Sequence, residues 1–127
     1  MTYVLVALGG ALGAVLRYLF VGWAGRALGH GLPWGTFGVN VLGSFVMGVV
    51  AVVMMERLAG SWGRLSPLVM TGVLGGFTTF SAFSLDALYL IERGRAAAAG
   101  AYMAGSVVLS VLALWAGLAS ARALLQG

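Results

Sequence analysis

The stretch GGFTTFSAFS, Gly75 to Ser84, lies inside a long apolar run, yet it combines paired glycines, four hydroxyl side chains and three phenylalanines. Glycine weakens a helix by about 1 kcal/mol per residue, and threonine hydroxyls compete for nearby backbone groups. A helix that contains this stretch is predicted to break near its middle. Within a bilayer, unwound backbone is tolerated only where it is buried in protein or lines a cavity. The stretch therefore indicates an interior site, whose free carbonyls suit a small hard cation.

The composition of the whole chain indicates a membrane protein. Of its 127 residues, 61% are hydrophobic and 8% are charged, whereas a soluble domain has about 25% charged residues. A bilayer core about 30 Å thick requires roughly 20 apolar residues per helix. Four windows of that kind follow one another, at residues 2–25, 34–55, 65–91 and 96–121. We predict an all-α integral membrane protein with four transmembrane helices, in which residues 1–127 form a single domain.

Residues at the window ends support these boundaries. Aromatic side chains that favour the headgroup level lie close to them, namely Trp23, Trp34, Trp62 and Tyr89. The first window has no basic leader and is longer than a signal-peptide core, so we predict that it is a retained helix. The chain has no cysteine, which excludes disulfides and thiolate metal sites. We predict no enzymatic activity and assign no catalytic residue.

The charges of the chain are all but confined to the predicted loops. The net charge is +4, but the arginines are spread over every loop, so no basic face for nucleic acid is predicted and lipid headgroups are their expected partners. Three arginines fall on each side of the membrane: Arg57, Arg64 and Arg122 on one, Arg26, Arg93 and Arg95 on the other. This balance gives the positive-inside rule no bias to act on. It favours an antiparallel, dual-topology homodimer, and a single orientation set by other cues stays open.

Two polar stripes run along otherwise apolar helices. Thr36, Asn40 and Ser44 recur every four residues on the second helix, and Tyr102, Ser106 and Ser110 do so on the fourth. Such stripes are expected to face protein or water rather than lipid. The serines have an ordinary alternative role, which is bonding back to their own helix. The carboxamide of Asn40 is costly to leave without a partner.

Small and aromatic residues offer two further patterns. Gly9 and Gly13 form a GxxxG pair, which favours close packing between membrane helices. Phe80 and Phe83 are three residues apart and so share one helix face. Their rings can serve ordinary packing. Alternatively, their electropositive edges can meet an anion, and both interpretations stay open at this point.

Two motifs resemble a known family. The stretches GTFGVNVLGSF, Gly35 to Phe45, and GGFTTFSAFSLD, Gly75 to Asp86, resemble the Fluc, or CrcB, family of bacterial fluoride ion channels. The resemblance implies a dual-topology homodimer in the inner (plasma) membrane, which conducts fluoride passively through two antiparallel pores and so protects the cell from fluoride toxicity. It also implies a fluoride pathway formed by the amide of Asn40, the ring edges of Phe80 and Phe83, the hydroxyls of Tyr102, Ser106 and Ser110, and the nearby Thr36.

The resemblance implies a metal site as well. A central sodium ion would be held by the backbone carbonyls of Gly75 and Thr78 from both subunits, with no organic cofactor. Arg17 matches an arginine of the family's first helix. We expect Arg17 to be a structural or vestibule residue, and Asp86 to have a structural role at the end of its helix. Two rival classes are a small dual-topology multidrug exporter and a membrane scaffold. The exporter requires a titratable carboxylate inside the membrane, and Asp86 lies only near the end of the third window.

Overall fold

The fold is known from a computed structural model that describes residues 1–57 and 62–126. Within those residues the chain is helical, and four helical segments are long and apolar enough to cross a membrane. They are Thr2–Leu28, Trp34–Met54, Pro67–Glu92 and Ala96–Leu125, called here the first to fourth spans. The prediction of an all-helical protein with four membrane spans is confirmed, with boundaries that differ by a few residues.

The four spans differ in regularity. The first is one helix, α1 (Thr2–Leu28), and the second is α2 (Trp34–Ala51), continued by a π-helical segment at Val52–Arg57. The third contains a π-helical segment (Pro67–Leu74), a short α3 (Gly75–Phe77) and α4 (Ser81–Glu92). Between α3 and α4, Thr78 is extended, with φ −83° and ψ 158°. The fourth is α5 (Ala96–Gln126).

Side-chain contacts connect the helices at both ends of the bundle. At one end, Gly29 follows α1 with a φ of +82°, a conformation that suits glycine, and Arg95 donates a hydrogen bond to Gly31 O. At the other end, Arg122 forms a bidentate ion pair with Glu56, at 2.8 and 3.2 Å. α5 continues past residue 121, where the apolar window ends, and includes Arg122. The side chain of Trp62, predicted at an interface, lies outside the described part of the chain.

Glycines set the closest contacts between spans. A Cβ on Gly72 would lie 2.8 Å from Gly9 Cα, and one on Gly13 would collide with Val73 O. In a similar way, a Cβ on Gly117 would lie 3.2 Å from Gly48 Cα, where α2 meets α5. Small residues allow such backbone approach, which drives helix association in lipid. The close packing predicted for the Gly9 and Gly13 pair is confirmed.

Candidate functional site: an open cavity beside the third span

A cavity of about 370 Å³ lies between α2, α5 and the non-helical turn of the third span. Most of the predicted pathway residues line it. They are Asn40, Phe80, Phe83, Ser106 and Ser110, joined by Ser44, Thr78 and Thr79. The arrangement brings together polar side chains from the second and fourth spans and the two rings from the third.

Asn40 is bonded to the turn by a reciprocal pair of hydrogen bonds. Its Oδ1 accepts from Thr79 N–H at 2.8 Å, and its Nδ2 donates to Thr79 O at 3.0 Å. The contact is possible because α2 has a glycine one turn further on: a Cβ on Gly43 would collide with the Thr78 methyl. A carboxamide has two N–H donors, so one donor of Asn40 lies outside this pair.

The same turn diverts two helical hydrogen bonds. In a continuous α-helix the N–H of Thr79 would bond to Gly75 O, and that of Ala82 to Thr78 O. Here Thr79 N–H donates to Asn40, and Ala82 N–H donates to the hydroxyl of Thr79 at 3.2 Å. The carbonyls of Gly75 and Thr78 therefore lose their helical donors. The described residues hold no cluster of three or more His, Cys, Asp or Glu side chains that could bind a metal ion.

Thr79 is the residue that sequence reasoning missed. The backbone N–H and C=O of Thr79 both form hydrogen bonds with the Asn40 side chain, and the Thr79 hydroxyl accepts a hydrogen bond from Ala82 N–H. The hydrogen bond from Ala82 N–H could have been predicted from the sequence, because the side-chain oxygen of an N-cap threonine commonly accepts from the N–H three residues later. No sequence signal predicts the bonds with Asn40, since they depend on the register between the second and third spans.

The two serines of α5 have buried hydroxyls. In the part of the chain that the structure describes, neither Ser106 Oγ nor Ser110 Oγ has a hydrogen-bond partner. Serines in membrane helices usually bond to the carbonyl one turn earlier, as Ser84 does with Phe80 O at 3.0 Å. An unsatisfied buried hydroxyl costs about 1 to 3 kcal/mol. Such a cost is offset when a polar species occupies the cavity that these hydroxyls line.

The two phenylalanines lie side by side in different surroundings. The ring centroids of Phe80 and Phe83 are 5.5 Å apart, with a tilt of 43°. Phe83 is 8% exposed and its ring lies 5.2 Å from that of Tyr102, whereas Phe80 is 76% exposed. Both rings border the cavity. Most of the Phe80 side chain is not covered by other residues of this chain.

Thr36 and Tyr102 lie outside the main cavity. Thr36 lines a neighbouring cavity of about 250 Å³ together with His30, Asp86 and Arg93. Tyr102 donates a hydrogen bond to Asp86 Oδ2 at 3.4 Å, and its side chain also interacts with that of Thr36. The contact between Tyr102 and Phe83 connects this polar group to the main cavity. Gly75 lines neither cavity, and Arg17 is half-buried in α1, away from both.

These features define a class of protein. The chain is a multi-pass membrane protein with an open cavity between its spans, which has amide and hydroxyl groups on two walls and phenyl rings on the third. Such a cavity suits a small polar species inside a membrane.

Comparison with known proteins assigns the family. Residues 4–118 match the profile described as "CrcB-like protein, Camphor Resistance (CrcB)". A protein of Rhizobium etli (strain CIAT 652), named fluoride-specific ion channel FluC, is 58% identical over 120 residues, which cover 94% of this chain and 95% of that protein. Proteins of the same name from Cereibacter sphaeroides (strain ATCC 17029 / ATH 2.4.9) and Rhizobium meliloti (strain 1021) are 56% identical over 117 residues and 51% identical over 120. They cover 92% and 94% of this chain, and 91% and 95% of their own lengths. This chain belongs to the CrcB family.

Proposed function

We propose that this protein is an ion channel that lets fluoride leave the cell passively and so limits fluoride toxicity. The observation that carries the proposal is a pair of hydroxyls, of Ser106 and Ser110, that have no hydrogen-bond partner among the described residues and share one cavity with Asn40 and two phenyl rings. The names of relatives at 51 to 58% identity support the choice of ion. As a bacterial channel of this kind it would lie in the inner membrane.

The chemistry of the cavity suits a small anion. Fluoride is strongly hydrated, so a pathway has to replace its water with N–H and O–H donors without a binding well too deep to leave. Asn40 contributes an amide, and the serines contribute hydroxyls. Phenyl edges carry partial positive charge and can face an anion without adding a formal charge. Each contribution is moderate, which allows the ion to move on.

Flux through purified protein tests this proposal. Liposomes loaded with potassium fluoride and containing the protein should release fluoride to an external electrode when valinomycin carries the counter-ion. Liposomes loaded with chloride provide the selectivity control. No fluoride release beyond protein-free liposomes would contradict the assignment. A proton gradient that drives drug exchange would instead support the multidrug exporter.

Ser106→Ala and Ser110→Ala should slow fluoride flux without weakening the fold. Each change deletes a hydroxyl that has no partner in the described chain, so no internal hydrogen bond is lost. Loss of one moderate donor is worth about 0.5 to 1.5 kcal/mol, or roughly 2- to 10-fold in flux if the transition state uses it. Electrode recordings measure the flux and thermal unfolding measures stability.

A matched control is Ser120→Ala, because Ser120 lies on the same helix and donates to its own backbone at Ala116 O. It should leave flux unchanged. Wild-type flux in both Ser106→Ala and Ser110→Ala would show that these hydroxyls do not contact the ion.

Phe80→Ile and Phe83→Ile should both impair flux but differ in their effect on stability. Phe83 is buried against Tyr102, so its replacement also removes a ring contact worth about 0.5 to 1.5 kcal/mol. Phe80 is 76% exposed in the single chain and its replacement removes only the ring contact with Phe83, so the loss of stability should be smaller. Unchanged flux in both variants would indicate that the rings only pack.

We also propose that two copies form an antiparallel, dual-topology dimer, and that the interruption between α3 and α4 is its functional centre. Two observations support this. The ring of Phe80 borders the cavity but is largely uncovered, and the arginines are balanced three against three between the two ends. The chain has no cysteine, so a single cysteine added at either terminus can be labelled in intact cells. A single protected population would contradict dual topology.

At the dimer centre we propose a sodium ion bound by carbonyls of Gly75 and Thr78 from both copies. The diverted donors of Thr79 and Ala82 support it, because they release these two carbonyls from the helix. Carbonyl oxygens are suitable ligands for a hard cation, and its charge would favour anions nearby. Protein purified and assayed without sodium should show reduced dimer stability. Equal stability in sodium and in N-methylglucamine would contradict the site.

A further inference from the structure

A third cavity, an apolar groove of about 330 Å³, lies between the first parts of α2 and α5. Its floor is a row of α5 residues that recurs every three or four positions, Ala98, Ala101, Gly105 and Leu109. Its wall is formed by Trp34 and Phe37, whose rings meet edge to face with centroids 6.0 Å apart. Ala98, Ala101 and Gly105 are small, so they leave room for the groove along the helix, and the two rings form its side.

A charged residue lines this groove at the end nearest the loops. Arg95 precedes α5 directly and donates one hydrogen bond to Gly31 O. A guanidinium has five N–H donors, so most of its donors lie outside that bond. The bond also fixes the position of the guanidinium at the mouth of the groove. Among the described residues that line the groove, Arg95 brings a positive charge and none is acidic.

The length of the groove matches one leaflet of a membrane. From Ala98 to Leu109 the helix rises about 17 Å, at about 1.5 Å per residue. Half of a hydrocarbon core of about 30 Å is about 15 Å. Trp34 is 41% exposed at the same end as Arg95, which is the level where tryptophan meets lipid headgroups. The groove therefore runs from the headgroup level to about the bilayer midplane.

We propose that this groove binds one anionic phospholipid, with an acyl chain along Ala98–Leu109 and the phosphate held by Arg95. The apolar floor and rings accept the chain, and the guanidinium matches a phosphate oxygen pair. The lipid would contact Tyr102, which lines the groove and stacks on Phe83. The site is separate from the main cavity, and the proposal does not depend on the ion that the protein conducts.

Native mass spectrometry tests the proposal on the purified protein in detergent with added phosphatidylglycerol. Arg95→Ala should lower the fraction of protein that carries the lipid about fivefold, the effect of one basic residue near an anionic headgroup. Ala101→Leu should lower it by a similar factor, because the larger side chain fills the floor. The wild type should retain more phosphatidylglycerol than phosphatidylcholine.

Two variants serve as matched controls. Arg26→Ala removes the same charge at the same end of the bundle but away from the groove, and Ala104→Leu adds the same bulk to an exposed position of α5 outside it. Both should retain phosphatidylglycerol as the wild type does. Wild-type retention in Arg95→Ala or Ala101→Leu would overturn the proposal. Loss of the dimer in Ala101→Leu with unchanged lipid retention would instead assign the groove to a second copy of the chain.

Discussion

Asn40→Asp is expected to abolish measurable fluoride flux. The carboxylate can still accept from Thr79 N–H, but it has no N–H to donate to Thr79 O or to an anion. It also places a negative charge on the wall of the main cavity. At an effective dielectric constant of about 20, two like charges 4 Å apart repel by roughly 4 kcal/mol, which corresponds to about a thousandfold in rate. Fluoride release from liposomes near neutral pH measures the effect.

Asn40→Leu separates the charge from the hydrogen bonds. It removes both bonds to Thr79 without adding charge, at a cost of about 1 to 3 kcal/mol for each backbone group left unpaired. We expect both variants to lose stability, since Asn40→Asp keeps the bond from Thr79 N–H but sets a carboxylate oxygen against Thr79 O. Reduced flux in Asn40→Asp beyond that of Asn40→Leu would therefore measure the effect of the charge. Wild-type flux in Asn40→Asp, measured on protein that elutes as one species, would remove Asn40 from the pathway.

Gly13→Ala is expected to lower the free energy of unfolding strongly, although it adds one methyl group. The new Cβ would collide with the backbone oxygen of Val73 and lie 2.9 Å from Phe77 N. Backbone cannot rotate away as a side chain can, so α1 and the third span would have to separate. Overpacking of this kind costs about 1 to 3 kcal/mol and sometimes more. Unfolding in mixed detergent micelles measures the change.

Gly10→Ala is the matched control, three residues earlier on the same helix. A Cβ at Gly10 would meet nothing within 4 Å, and alanine raises helix propensity by about 1 kcal/mol over glycine. We therefore expect unchanged or increased stability. Equal effects of the two substitutions would show that the bundle tolerates separation of α1 from the third span.

Sequence reasoning predicted the spans well because bilayer thickness sets the length of an apolar run. The starts of α2 at Trp34 and α5 at Ala96 match the predicted windows. The ends are less regular, since they depend on side-chain partners and local backbone. The apolar window ends at residue 121, before Arg122, but α5 continues to Gln126, because the end of a hydrophobic window need not be the end of a helix.

The site was predicted in part. Asn40, Ser106 and Ser110 do line one cavity, because residues four apart share a helix face. The same rule places Thr36 and Tyr102 on those faces, but they line other cavities. Nor does spacing predict that Phe80 is exposed and Phe83 buried, since that difference depends on how α4 meets α5. The partner of Asn40 depends on the close approach at Gly43, which local sequence does not encode.

The paired hydrogen bonds with Thr79 give the Asn40 side chain two roles. Asn40 lines the cavity, and by accepting from Thr79 N–H it keeps that donor away from Gly75 O. An anion that binds the Asn40 amide would therefore also affect the Gly75 carbonyl, one of the oxygens proposed to bind the cation. Thermodynamic linkage is reciprocal, so sodium should change the affinity for fluoride by the same factor as fluoride changes the affinity for sodium.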